Sequence, residues 1–382
     1  VHVEPKVLIV GAGIGGAALG RALARRGIAY ELFERAPALR EVGAGIVMQA
    51  GAMRALESLG LDQPVLAEGK EIERASGRAA SGKVLHALPL DFLKRELGAP
   101  MVAIHRARLQ RVLLGSLEPA RVHLGKAFER FESSERSVTA YFEDGTHAEG
   151  TLLVGADGLR SRVRHQLLGE SALRYSGYSS YRGVADGDGF AQNETMEIWG
   201  RGARFGIVPI GHGETYWFAV VNAPENESHP DARAFVKSRF GDFMDPVLAV
   251  VEATPGERIL RTDIHDRAPV PGWSRGRVTL LGDAAHPTTP NLGQGGCMAI
   301  EDAVTLAHAL EAHADVTRAF ALYEERRVAR TSRVVEDSFK FGKIAQLEGR
   351  FSTWLRDRVL AATPAKLLRE RLLESSRFEL PG

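Results

Sequence analysis

Four consecutive apolar residues, Val7-Leu8-Ile9-Val10, open the regular part of the chain and read as a short buried parallel strand. Behind them Ile14, Ala17, Ala18, Leu19, Ala22 and Leu23 recur at helical spacing. That stretch ends in Arg25-Arg26-Gly27, so the pattern predicts a helix over 14–26. Ala29 to Phe33 predicts a second strand, which makes residues 6–34 one β-α-β unit with a glycine-rich turn after its first strand. Ala52, Leu56 and Leu59 ahead of Gly60 predict a helix over 50–60, and Leu109, Val112 and Leu113 predict another over 106–118. Val122 to Leu153 is strand-like, with a turn at Glu143-Asp144-Gly145. Residues 175–222 alternate and are rich in aromatics, from Tyr175 and Tyr178 through Trp199 to Trp217, the pattern of a mostly antiparallel sheet separate from the first unit. Arg277 to Leu281 predicts a further buried strand ahead of a long Gly/Pro loop. After Gly296 the pattern is helical nearly to the end, broken around Pro364.

Length turns this pattern into a two-part architecture, because 382 residues exceed the ~250–300 at which one hydrophobic core stops growing. Charge excludes a class of partners. Lys and Arg number 49 against 48 acids, a net charge of +1, so the concentrated positive field of a dedicated nucleic-acid binder is absent. The single cysteine, Cys297, rules out an intramolecular disulfide and reads as a small buried residue at a helix start rather than a nucleophile. Neither an H-E-x-x-H motif nor a paired Cys/His spacing predicts a metal site, and the absence of G-x-S-x-G argues against a nucleophile-elbow hydrolase. No apolar run reaches the ~18 residues of a membrane span, and the N-terminal Val1–Val10 is too short for a secretory core, so a cytoplasmic protein is expected. Glycine is abundant, at 41 residues, and most of the candidate chemistry lies where glycines cluster.

Gly11-Ala12-Gly13-Ile14-Gly15-Gly16 matches G-x-G-x-x-G directly after a strand and before a helix. Gly11 allows the tight turn, Gly13 lets a pyrophosphate approach the backbone, and Gly16 lets helix and strand pack closely. Glu34 ends the second strand, eighteen residues beyond Gly16, where a carboxylate accepts hydrogen bonds from ribose hydroxyls. This motif alone does not separate FAD from NAD. A second segment, Gly155-Ala156-Asp157-Gly158 with Ser161 and Arg164 behind it, follows the apolar run Leu152-Leu153-Val154. A third is more specific: Gly282-Asp283-Ala284-Ala285-His286-Pro287 continues into Pro290-Asn291-Leu292-Gly293-Gln294-Gly295-Gly296, with a helix beginning near Cys297. An acid at the strand end can hold a polyol, and the helix N-terminus behind the loop can face a second electron-rich group.

Together, in this order and spacing, the three motifs make the chain resemble the single-component FAD-dependent aromatic hydroxylases, the 4-hydroxybenzoate hydroxylase family. The tract Gly282 to Asp302 is most similar to the branch with 3-hydroxybenzoate 6-hydroxylase, salicylate hydroxylase, FAD-dependent urate hydroxylase and zeaxanthin epoxidase. The resemblance implies an α/β fold: a Rossmann-like FAD-binding domain (1–75, 101–174 and 263–340), an inserted, mostly antiparallel β-sheet substrate domain (76–100 and 175–262), and a C-terminal helical segment (341–382). It implies non-covalent FAD, transient NADH or NADPH, and O2, with one oxygen atom passed through a flavin hydroperoxide to an electron-rich aromatic, heteroaromatic, polyketide or isoprenoid-type small molecule. A FAD-dependent reductase or dehydrogenase of the same fold, and a non-enzymatic scaffold that keeps FAD, are the competing readings. A monomer or homodimer is expected.

By the same resemblance Glu34 binds the adenosine ribose, Asp283 the ribityl chain, and Arg106 the ribityl and pyrophosphate region. Asp157 and Gly158 serve FAD and the nicotinamide donor, and Pro290 sits beside the reacting edge of the flavin. Gly11, Gly13, Gly15, Gly16, Arg35, Gly45, Gly282, Gly293, Gly295 and Gly296 complete the expected cofactor set. Free N–H groups at Gly293 to Gly296 are expected to stabilise charge on a reduced flavin. The substrate is expected between the flavin and a sheet offering Tyr181, Arg182, Arg204, Phe205, Tyr216 and Phe218, with Arg204 just ahead of a strand. Arg204, Tyr216 and Pro290 form the candidate catalytic set. Asn291 stands where the urate enzyme carries an acid, a departure that sets this chain apart from urate chemistry. His286 is read as structural, and Arg326-Arg327 and Arg369 with Arg371 as solvated helix faces.

Overall fold

The computed structural model describes residues 6–38 and 44–381, so the expectations about residues 1–5 lie outside the described residues. The first β-α-β unit seeds a five-stranded sheet. In space its strands run Val278–Leu280, Leu152–Gly155, Lys6–Val10, Ala29–Glu34, Val122–Leu124, every neighbouring pair parallel. Both faces are covered, which is why these strands are continuous apolar runs rather than alternating ones. Helices Ile14–Ala24 and Gly295–Ala312 pack on each other, and a small antiparallel sheet spanning Phe128–Gly150 packs against the central strands. The parallel order brings Gly11, Glu34, Asp157 and Gly282 to the carboxyl ends of four strands, the edge where open α/β sheets bind ligands.

Within the glycine-rich turn the glycines have different physical duties. Gly11 has φ +105, and a Cβ there would lie 2.5 Å from the Ala156 carbonyl oxygen. A Cβ on Gly16 would lie 1.9 Å from the Gly11 carbonyl oxygen, so this residue sets how closely helix and strand approach. Gly15 faces Leu281 and Ala299, which makes it a packing residue. Gly13 differs from these three: no atom lies within 4 Å of where its Cβ would be.

A second sheet has seven strands, in the order Leu260–Asp266, Arg174–Asp186, Glu214–Asn222, Ala203–Pro209, Glu194–Trp199, Arg74–Ala79, Val84–Pro89. It is antiparallel except where Glu194–Trp199 meets Arg74–Ala79. Register decides what it offers. Arg204 lies opposite both Val220 and Trp199, Phe218 opposite Arg182 and Gly206, and Tyr216 opposite Val184 and Val208. Opposed residues share a face, so Tyr178, Arg182, Trp199, Arg204, Tyr216 and Phe218 point one way. Tyr181 and Phe205 have the other parity. They lie in a separate core with Trp217, Val236, Phe240 and Val250, which removes them from the expected substrate surface. Arg204 does not precede a strand; it sits inside one and is 2% exposed.

A third sheet has three strands, Gly45–Met48, Val102–His105 and Gly69–Glu71, and touches the seven-stranded sheet where Gly45 meets Tyr216; its strands are too short to leave a periodic signal in the sequence. Helices Asp62–Glu68, Asp91–Leu97, Ala232–Arg239 and Val247–Glu252 were equally silent, each being only about two turns. The C-terminal part is four helices, Gly295–Ala312, Val316–Ala345, Arg350–Ala362 and Ala365–Ser376. It is interrupted around 313–315 and 346–349 as well as at Pro364. Arg327 corrects the expectation of a solvated basic face: it is buried on the long helix and holds Asp302 and Glu301. The neighbouring Arg326 is exposed, as are Arg369, only partly, and Arg371.

The glycine geometry predicts opposite outcomes for two similar substitutions. Gly16→Ala should lower the stability of the FAD-free protein by about 1–3 kcal/mol or more through overpacking. Gly13→Ala should leave it nearly unchanged. Thermal unfolding of the two FAD-free variants beside the parent decides the matter, and equal losses would show that Gly13 too is a packing residue.

Candidate active site

The cleft at the carboxyl edge of the parallel sheet is held in shape from several sides. Ala12 is clamped: its N–H donates to Glu34 Oε2 at 2.9 Å, and its carbonyl accepts from Gln110 Nε2 at 2.9 Å. Glu34 Oε1 also accepts the Ala36 N–H at 2.9 Å. Each carboxylate oxygen therefore braces the turn while keeping lone-pair capacity for a further donor. Helix Ile14–Ala24 starts at Gly13 with no side-chain cap and no acid in its first turn. Uncapped first-turn N–H groups, the open space over Gly13 and the helix dipole make this a fitting seat for a pyrophosphate. Arg35 is exposed just past the strand end.

Asp157, expected to serve FAD and the nicotinamide donor, has a local task in the fold. Its carboxylate accepts from Ser161 Oγ at 2.5 Å, Arg162 N–H at 2.8 Å and Val163 N–H at 3.2 Å, so it organises the start of helix Arg162–Leu168. The next residue, Gly158, has φ +80 and turns the chain. Arg164, on the same helix, donates to the carbonyls of Ala284 and Ala285 at 2.9 and 2.8 Å. The second motif thus supports the third, a role that the sequence left unassigned.

The loop from Gly282 to Gly296 carries the densest geometry. Asp283 keeps accessible surface although protein surrounds it, the position of a side chain that looks into a cleft. Burial pushes its carboxyl above the ordinary range, against the nearby charges of His286 and Arg106. Arg106 is exposed to the cleft at the start of helix Arg106–Gly115, its N–H donating to Ala44 O at 3.0 Å. Gly45 lies against the Tyr216 ring, Gly296 against Ile46, and Gly295 within 3.8 Å of Asp283 Oδ1, all measured from the Cβ positions the glycines lack. Gly45, Arg106, Tyr216, Asp283, Gly295 and Gly296 therefore come together around one cleft. An acid, a guanidinium and a row of side-chain-free backbone suit a flavin with its ribityl chain. The expected N–H row is shorter than anticipated: Gly293 N–H already closes a turn onto Pro290 O at 3.0 Å, and the helix begins at Gly295 without a side-chain cap.

Behind the loop, one buried carboxylate holds it in place. Asp302 Oδ2 accepts Gly282 N–H at 3.1 Å and His286 Nε2 at 2.5 Å, while Oδ1 accepts Arg327 Nε at 2.7 Å. His286 is structural, as read, though its partner lies sixteen residues away on the next helix. Burial raises the Asp302 carboxyl, but His286 and Arg327 outweigh that and bring it below the usual range. Cys297 is buried beside Gln49, and burial pushes its thiol up to about 12, which leaves it inert as a nucleophile.

Where the loop meets the second sheet, Asn291 is the joint. Its Oδ1 accepts from Arg204 Nη2, and its Nδ2 lies 2.8 Å from each of Tyr178 Oη, Thr289 Oγ1 and Ser338 O. Arg204 Nη1 donates to Glu197 Oε1 at 2.9 Å, and Arg204 Nε has no protein partner although it is buried. Tyr216 is buried beneath Gly45, and burial raises its phenol above the ordinary value against the charge of Arg182, so it stays protonated and can donate. Tyr178, Ser338 and Gln110 were missed by sequence reasoning. Only Tyr178 left a signal, having the strand parity of Arg182.

The comparisons with known proteins fit this geometry. A family model described as FAD binding domain matches residues 4–338. An aurachin C monooxygenase/isomerase of Stigmatella aurantiaca is 49% identical over 93% of each chain. A 2-heptyl-3-hydroxy-4(1H)-quinolone synthase of Pseudomonas aeruginosa is 33% identical over 94% of each. The crystal structure of Klebsiella pneumoniae HpxO with FAD and uric acid superposes with a TM-score of 0.93 at 30% identity, over 98% of this chain and 97% of that one.

The depressed Asp302 carboxyl has a pH consequence. A carboxylate held below its unfolded value adds stability that is fully present above ~3.9 and is lost as pH falls through the folded value. Asp302→Asn should therefore destabilise the protein at neutral pH by about 3–5 kcal/mol, the cost of breaking a buried pair. Its deficit against the parent should shrink as pH falls below ~4. Urea unfolding of both proteins across that range is the check; a deficit independent of pH would mean that the charge of Asp302 plays no part.

Proposed function

We propose, for a chain that belongs to the single-component FAD-dependent aromatic hydroxylases and is an FAD-dependent monooxygenase of small aromatic or heteroaromatic molecules, that its substrate is a neutral bicyclic N-heteroaromatic of the 4-quinolone type. Arg204 is the residue that orients it. The observation that carries this reading is the charge-compensated Arg204 at the seam of sheet and flavin loop. Glu197 neutralises the guanidinium and Asn291 fixes it, which leaves a buried Nε–H without a partner. A compensated guanidinium with one free donor suits a ring carbonyl or hydroxyl better than a carboxylate, because an anion would meet little net charge there. The names of the aurachin and heptyl-quinolone relatives point to the same substrate class.

Bound FAD supplies transfer of electrons from NAD(P)H and the activation of O2. The overall reaction consumes substrate, NAD(P)H, a proton and O2, and releases oxygenated substrate, NAD(P)+ and water. On the protein side, we assign Glu34 to the adenosine ribose, the uncapped N-terminus at Gly13 to the pyrophosphate, and Asp283 with Arg106 to the ribityl region. Gly45, Gly295 and Gly296 would border the ring and Pro290 its reacting edge. Tyr216 keeps its proton and, with the Phe218 ring tilted 42° to it, offers an aromatic wall on the sheet face. Arg204 Nε–H would hold the substrate oxygen and stabilise charge that builds on it as the ring is attacked. Residues on two separate sheets thereby fix the angle between substrate and cofactor.

Substrate-dependent NAD(P)H oxidation and oxygen uptake test the reading. A 4(1H)-quinolone with a C2 or C3 alkyl chain should accelerate both well above 3-hydroxybenzoate or urate; faster turnover with either acid would overturn the substrate class. Arg204→Ala should retain FAD, slow NAD(P)H consumption by roughly 10–100-fold, as expected for loss of a charge-assisted hydrogen bond of ~1.5–3 kcal/mol, and release more hydrogen peroxide per product. A normal product-to-NAD(P)H ratio in this variant would remove Arg204 from substrate handling even if the variant were less stable.

A further inference from the structure

Helix Arg350–Ala362 is inverted. Its protein-facing side carries Thr353 and Arg356, both buried, with Arg356 donating to the carbonyls of Ala345 and Gly200 at 3.1 and 3.0 Å. The stripe facing solvent carries Phe351, Trp354, Leu355 and Val359, exposed by 72%, 51%, 45% and 58%. A helix on the surface of a globular protein has the reverse arrangement. Scattered exposed apolar residues need no explanation, but these are not scattered. Of nine large apolar side chains exposed among the described residues, seven belong to this corner: these four, Ile344 at the end of the preceding helix, Leu367 on the following one, and Val84 on a strand that packs against both C-terminal helices.

Charge indicates what covers the stripe. From Lys340 to Glu379 the sequence has nine basic and five acidic side chains, whereas the whole chain carries only +1. Arg350, Arg358, Lys366 and Arg371 are exposed around the apolar stripe, and the Arg358 guanidinium lies 5.1 Å from the centre of the Trp354 ring. The acids are Glu348, bonded to Asn222, Asp357, bonded to the buried Arg356, Glu370 and Glu374 on the last helix, and Glu379 beyond it. An isologous contact with a second copy would set this basic rim against its own image. An anionic bilayer surface satisfies both features: apolar side chains enter the acyl boundary, an indole sits at the interface, and the basic rim meets lipid phosphates. No helix among the described residues is long and apolar enough to cross a membrane, so this surface would lie on a bilayer rather than span it.

We propose that helix Arg350–Ala362 docks the enzyme reversibly on anionic phospholipid bilayers. Its site is distinct from the flavin cleft but close to the substrate sheet. Arg356, on the underside of the helix, stacks 5.1 Å from Trp199, and Trp199 lies opposite Arg204 in the sheet register. A cavity of about 810 Å³ between helix and sheet, bordered by Trp199, Phe243 and Trp354, adjoins the docking face.

Flotation of the FAD-bound protein with vesicles tests this. The protein should float with phosphatidylcholine–phosphatidylglycerol vesicles, much less with phosphatidylcholine alone, and less at high salt, where exposed charges are screened. Arg358→Glu should weaken partitioning roughly tenfold, in line with the contribution of basic residues near an anionic surface. Phe351→Asp with Val359→Asp should abolish flotation, while FAD content and turnover of a dispersed substrate stay at parent levels. Parent protein that floats with neither vesicle overturns the proposal, as does equal flotation of the parent and the double variant. A parent dimer that the double variant converts to monomers, without vesicle binding, would overturn it in favour of a second copy as the partner.

Discussion

One buried carboxylate fixes the geometry on which the cofactor edge depends. Asp302 reaches from helix Gly295–Ala312 to the first residue of the cofactor loop, to His286 in its middle, and to Arg327 on the long helix behind it. A buried charge is tolerated only when paired and fully hydrogen-bonded. Asp302 has three donors, and Glu301 beside it has Arg327 and Arg330. Loop and helices are therefore not independently adjustable. If the loop shifted, Asp302 would lose partners in a medium without water to replace them. This places Asp283 in the cleft and Gly295 at the head of its helix with little freedom, which a site for a planar cofactor requires.

The second constraint is the seam between the sheets. Arg204 comes from the seven-stranded sheet, Asn291 from the cofactor loop, and Ser338 from the long helix, and hydrogen bonds join all three. The seam is also where charge is managed. Glu197 offsets Arg204, so the guanidinium contributes a fixed donor rather than a bare field. An acid in place of Asn291 would compete with Glu197 for the same guanidinium and change what the remaining donor recognises. The identity of that single loop residue and the sheet register thus set the electrostatic character of this seam together.

The motifs were legible because each is local. G-x-G-x-x-G, its strand, its helix and Glu34 occupy less than thirty consecutive residues, and their chemistry follows from spacing. The loop from Gly282 to Gly296 is equally contiguous, and its Asp283, Gly295 and Gly296 come together at one cleft. Elements with no periodicity escaped: strands of three or four residues such as Gly69–Glu71 and helices of two turns such as Asp91–Leu97. Arg327 escaped for a different reason. An arginine in a charged helical run looks solvated until the two acids that face it, 25 and 26 residues upstream, are seen to be buried with it.

By itself the sequence determined the cofactor class, the parallel FAD-binding unit, the existence of a second sheet and the family chemistry, since these rest on short-range pattern and residue type. Tertiary structure alone decided which face of that second sheet turns toward the loop Gly282 to Gly296, the face on which Arg204 bonds Asn291. Strand alternation sorts residues into two faces, but only packing against Val236, Phe240 and Val250 showed that Tyr181 and Phe205 lie on the covered side and Arg204 and Tyr216 on the other. It also decided that Asp157 caps a helix, that Asn291 holds Arg204, and that helix Arg350–Ala362 turns its apolar stripe outward. Each of these depends on contacts between residues far apart in the chain, and such contacts are set by the packing of whole elements rather than by the propensities of their neighbours.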